Sequence, residues 1–134
     1  MILSVALNQK LLDLAPAYSV AEDAPSTYEV LRARTSSLVV YSGASDNTIY
    51  GDPRVNYAFR AWHDSLHIRL QAGFSVKDEI RVAIESARVL GGGTLGDIIY
   101  TEIVDQRLYA EHTGEFVNNQ VDFMVSHLRA KGIL

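Results

Sequence analysis

Residues 59–70, Phe-Arg-Ala-Trp-His-Asp-Ser-Leu-His-Ile-Arg-Leu, place two imidazoles four positions apart, with a carboxylate directly after the first. On a helix, positions i and i+4 lie one above the other, so His63 and His67 can turn two nitrogens toward one point. Helical zinc sites take two ligands at this spacing, which predicts a divalent ion held by mixed nitrogen and oxygen donors. Glu79 falls in the first turn of the next expected helix, where the helix dipole favours a carboxylate. Glu102, Gln106 and Tyr109 share a helical face with Leu95 and Ile99, and His112 follows Tyr109 by three. The expected site therefore takes His63, His67, Glu79 and His112 as ligands of zinc, manganese or iron. Asp64 or Glu102 would be the general base, with Arg60 as an anion contact and Gln106 and Tyr109 lining the substrate.

Each of these residues also has a plainer reading. A helical His-x3-His pair is more often a half-buried structural pair than a metal site, and Glu79 alone suits a solvated first-turn charge. "HDSLH" is similar to the zincin motif H-E-x-x-H, but aspartate is one methylene shorter and reaches a metal-bound water badly. No third ligand lies at a zincin distance. The pair His63-Asp64 is similar to that of HD-type phosphohydrolases, which need a histidine upstream; this chain has none before His63. Ser65 lacks a glycine-flanked elbow and so does not read as a nucleophile. His127 reads as a packed residue near a helix end, and Arg69 as a surface ion-pair former.

The elements that must position these side chains are mostly helical. Val55, Phe59, Trp62, Leu66 and Leu70 recur at spacings of four, three, four and four, which predicts an amphipathic helix over 53–72. Asp52 would be its N-cap, Pro53 its first residue and Gly73 its end. Ser75 and Asp78 open a second helix over 76–90, with Ile80, Ala83, Ile84 and Ala87 inward, up to the stop at Gly91-Gly92-Gly93. Thr94 would cap a third, 95–111, and a fourth runs over 116–130 through Phe116, Gln120, Phe123, Met124 and Leu128. Upstream, Ser26 and Glu29 suggest a short helix over 27–34. Runs 38–42 and 48–50, split by a turn-rich stretch, suggest a hairpin. Residues 1–18 read as a short strand or a helix. The expected fold class is mainly α. A four-helix bundle-like core over 53–134 would carry a small N-terminal α/β lobe over 1–52, all in one domain.

Bulk properties narrow the function classes. A length of 134 residues suits one core, and a composition 48% hydrophobic and 21% charged is globular. Zero cysteines remove disulfides, thiolate zinc and cysteine nucleophiles. The opening residues carry Asn8, Gln9 and Lys10 where a signal h-region would be apolar, which reads as an intracellular chain. Twelve basic against sixteen acidic residues, a net charge of −4 and only three lysines leave no basic stripe, so nucleic acid is a poor partner. No run approaches the roughly 18 apolar residues of a membrane helix.

Three stretches together, "TIYGDPRVNYAFRAWHDSLHIRL", "GFSVKDE" and "IVDQRLYAEHTGEFVNNQVDFMVSHL", resemble a group of small uncharacterised proteins of tailed bacteriophages. The resemblance runs over about residues 47–128 and is carried by Asn56, Phe59, Arg60, Trp62, His63, Asp64, His67, Phe74, Glu79, Gln106, His112, Phe116 and Gln120. It implies a phage origin and action in the host bacterial cytoplasm, and it brings no activity with it. The expected function is a phage accessory protein that binds and modulates a host protein. The alternatives are a metal-dependent hydrolase of a nucleotide or small phosphorylated metabolite, and a virion or assembly component. Phe116, Phe123 and Met124 on the last helix would offer surface for a homodimer.

Overall fold

The computed structural model describes residues 1–33 and 37–134. Among them the order is α1 (Val5–Leu14), β1 (Tyr18–Ala21), α2 (Tyr28–Arg32), β2 (Leu38–Tyr41), α3 (Pro53–Leu70), α4 (Val76–Val89), α5 (Gly93–Thr113) and α6 (Gln120–Ala130). The chain is mainly helical with a small α/β part, as its periodicity predicts. It divides into two compact units, Met1–Gly73 and Phe74–Leu134. The boundary falls after α3 rather than before it, because α1, α2 and β2 all pack on α3.

In the first unit, α1 is capped by Ser4, which accepts from the Leu7 amide, and it buries Leu7 and Leu11 one turn apart. The two strands are parallel, Tyr18 opposite Leu38 and Ala21 opposite Tyr41. A parallel pair needs a crossover, and α2 lies within it. Thr27, not Ser26, caps α2; Arg34, the expected end of this helix, lies outside the described residues. The expected hairpin does not form. Thr48, Ile49 and Tyr50 are buried in succession, whereas a half-buried strand alternates. Their backbone turns instead, with the Gly51 amide on the Thr48 carbonyl and the Ile49 carbonyl taking the Leu3 amide at 2.8 Å. Gly51 (φ +69°) is needed there, since a Cβ would collide with the Met1 carbonyl oxygen.

α3 starts as expected, on Asp52 with its carboxylate on the Arg54 amide and Pro53 in the first turn. It buries Val55, Phe59, Trp62 and Leu66. It ends at Leu70, two residues short of the expected 72, because Gln71 takes the left-handed conformation at φ +51°.

In the second unit, Ser75 caps α4 by accepting from the Asp78 amide. The inward face differs from the expected one. Val82, Ala83 and Ser86 are buried while Ile84 is 59% exposed. The reason is close approach: a Cβ on Gly96 of α5 would lie 3.2 Å from the Ala87 carbonyl, so small residues take the seam. α5 begins at Gly93 with Gly92 as its cap and no side-chain cap bond, so Thr94 is inside the helix. Ile98, Ile99, Thr101, Glu102, Ile103 and Val104 are all buried, the pattern of a central helix. α6 starts at Gln120, capped by Asn119, and leaves Phe116 outside it and 92% exposed. Met124 is fully buried and offers no surface. Among the described residues no helix is long and apolar enough to cross a membrane.

Candidate metal centre

The helical phase of α3 puts Phe59, His63 and His67 in one column. Tyr50 lies 5.7 Å from the Phe59 ring, Phe59 stacks on His63 at 5.5 Å and 28°, and His63 meets His67 edge-on at 4.6 Å and 80°. That last geometry brings the two Nε2 atoms to 3.0 Å. His67 is 1% exposed and His63 is half-buried.

The ring of His67 is oriented from the helix end. Its Nδ1 lies 2.9 Å from the Ala72 carbonyl oxygen, and the Ala72 amide returns to the His67 carbonyl at 2.9 Å. The left-handed turn at Gln71 makes this double link, since it swings Ala72 back over the last turn of α3. A carbonyl only accepts, so Nδ1 carries the proton and Nε2 is the His67 nitrogen turned toward His63. Metal-ligating histidines are held in this way, with the second nitrogen on a carbonyl or carboxylate.

Other expected residues fall differently. Asp64 is half-buried on α3, one position past His63. The Arg60 guanidinium is bound to the turn after β2. Its Nη1 donates to the carbonyls of Tyr41 at 2.6 Å and Gly43 at 2.7 Å and to Ser45 Oγ at 3.2 Å. Burial holds its pKa below the usual guanidinium range, partly offset by Tyr57, Tyr41, Tyr50 and Asp64. Asn56 donates to the same Ser45 Oγ at 2.9 Å, so Arg60 and Asn56 together anchor that turn to α3. Ser65 donates to the Trp62 carbonyl at 2.6 Å.

In the second unit, Glu79 lies in the first turn of α4, half-buried, its amide on the Ser75 carbonyl. Glu102 on α5 is 7% exposed and accepts from Gln106 Nε2 at 2.6 Å, which accounts for two polar residues on one buried face. Tyr109 packs edge-on against Phe123 at 5.5 Å. His112 is exposed in the last turn of α5. Sequence reasoning missed two contributors. The Ala72 carbonyl leaves no side-chain signal, and Asp105 is not marked by any motif, although it binds His127 (below).

Comparison with family models, with curated proteins and with solved structures finds no match for this chain. The functional reading therefore rests on the chemistry of the residues.

Proposed function

We propose that this protein binds one divalent transition-metal ion, with His63 and His67 as its nitrogen ligands. The observation that carries the reading is the 3.0 Å convergence of two Nε2 atoms, one of them with its tautomer fixed by a backbone carbonyl. Two imidazoles suit zinc, manganese or iron, and the coordination positions they leave open can take water. An ion in that setting lowers the pKa of its water toward neutrality, the basis of metal-assisted hydrolysis. A hydrolase acting on a nucleotide or small phosphorylated metabolite is the activity we assign, with Asp64 as the base. His112, which is exposed, is left out of the ligands, and Arg60 is left out as the anion contact because its guanidinium is bound to the 41–45 turn.

The resemblance to tailed-phage proteins supplies a setting, the host bacterial cytoplasm, where a host-protein modulator or a virion component is the competing reading. The test is elemental analysis of untagged protein purified without chelator. About one zinc, manganese or iron per chain is expected, and it is lost in His63→Ala. A metal-free wild-type chain that also takes up none on dialysis against zinc removes the proposal.

A further inference from the structure

A second histidine, far along the chain, is built into a different device. His127 on α6 bonds through Nδ1 to Asp105 Oδ2 on α5 at 2.7 Å. The Asp105 side chain is only 11% exposed, while that of His127 is 41% exposed. Lys131, one turn beyond His127, reaches the same carboxylate at 3.0 Å and also donates to Thr101 Oγ1 at 3.0 Å. Thr101 in turn donates to the Asp97 carbonyl. The carboxylate is thus held between His127 and Lys131, and Lys131 is itself tied to Thr101. The imidazole plane is set on its other side by Phe123, stacked at 4.0 Å and 25°.

This arrangement determines which nitrogen is free to react. A carboxylate accepts the Nδ1 proton, so the neutral ring presents its Nε2 lone pair away from Asp105. His127 and Asp105 line an open groove of about 330 Å³ together with Leu108, Tyr109 and Phe123. Three of those five side chains are apolar or aromatic, and Leu108 and Tyr109 are substantially exposed. An oriented base beside an apolar groove is the combination that general-base hydrolysis requires.

We propose that Asp105 and His127 form a second, metal-independent site, in which His127 Nε2 acts as general base in the hydrolysis of a small ester whose apolar or aromatic group sits against Leu108, Tyr109 and Phe123. Nε2 takes a proton from water as the water oxygen bonds to the acyl carbon. The acyl carbon–oxygen bond then breaks, its electron pair leaves with the alkoxide, and the imidazolium returns its proton there. The products are an acid and an alcohol, and the ring ends neutral. His127 is the catalytic residue. Asp105 is a positioning residue, and Lys131 holds it.

The experiment uses the intact chain with p-nitrophenyl butyrate, in the presence of EDTA so that the His63–His67 centre is not read. Saturable hydrolysis is expected. His127→Gln lowers kcat by about a hundredfold or more, the lower end of what a general base contributes. Asp105→Asn lowers kcat while leaving KM within about twofold, a split that a merely structural tie between α5 and α6 would not give. The wild-type protein supplies a measurement independent of variant folding: N-butylbutyramide, the unreactive amide analogue, should move the His127 Cε1 proton resonance in a saturable way. Wild-type hydrolysis no faster than that of folded His127→Gln, or an unmoved His127 resonance, overturns the proposal. Neither result bears on the metal centre.

Discussion

Zinc should raise the melting temperature of the wild-type protein and leave that of His63→Ala unchanged, by an amount the geometry allows to be worked out. With zinc–nitrogen bonds of about 2.05 Å, Nε2 atoms 3.0 Å apart subtend about 94° at the ion, and a tetrahedral angle needs about 3.3 Å. The rings have only a few tenths of an ångström to open. His63, the more exposed of the two, is the one that moves, because Ala72 holds His67. Binding should therefore cost little reorganisation of the two rings. At free zinc a hundredfold above Kd, linkage stabilises the folded state by about 2.7 kcal/mol. An unfolding entropy of about 2.1 cal/mol/K per residue over 134 residues gives about 0.28 kcal/mol/K, so Tm should rise by about 10 °C. Differential scanning fluorimetry with and without zinc, followed by EDTA, reads this directly, and ¹⁵N imidazole shifts read ligation at the two rings. A wild-type rise below about 2 °C at saturating zinc would refute the reasoning. So would an equal rise in His63→Ala, since the ion would then be bound elsewhere, for instance at exposed His112.

Three further expectations concern the frame that holds the site. Gln71→Gly should raise stability by about 0.5–1 kcal/mol, since glycine takes the left-handed conformation without the strain of a Cβ; urea denaturation checks it, and a loss would mean that the Gln71 side chain itself holds the turn. Gly51→Ala should destabilise by about 2 kcal/mol or more, because the added Cβ meets both a positive φ and the Met1 carbonyl; an unchanged urea midpoint would contradict the packing of residues 1–3 against 48–51. Asp52→Asn should keep the α3 cap but flatten the acid limb of stability. The side-chain hydrogen bond from Arg54, then the Arg54 amide, lowers the Asp52 pKa below its ordinary 3.8. The stabilisation is thus present above that value and fades as pH falls through the folded one, so melting curves of the two proteins should converge in acid. Parallel curves would remove this account of the cap.

Local chemistry made much of the molecule legible in advance. Asp52-Pro53 and Ser75 with Asp78 specify helix starts through hydrogen bonds within a few residues, and both starts stand where they were read. The α3 stripe and the i, i+4 alignment of His63 with His67 follow from helical periodicity alone, whereas the 3.0 Å approach of their Nε2 atoms also needs the ring orientation that Ala72 sets. Periodicity failed where the partner decided the face. On α4 the small residues Ala83 and Ser86 took the seam because Gly96 lets α5 approach closely, and Ile84 was left in water. Phe116 looked like the head of a stripe, yet Asn119 capped α6 after it.

Strand pairing could not be read from 38–42 and 48–50. The partner of β2 lies some twenty residues upstream, and hydrogen bonds between distant strands leave no local mark. The same holds for the two histidine sites at their decisive points. The sequence by itself determined that His63 and His67 share a helix face. Only the tertiary structure decided that the Ala72 carbonyl fixes one tautomer, and that Asp105 meets His127 across two helices. Helix phase is set by the backbone's own repeat, whereas those partners are chosen by how separate segments fold back on one another.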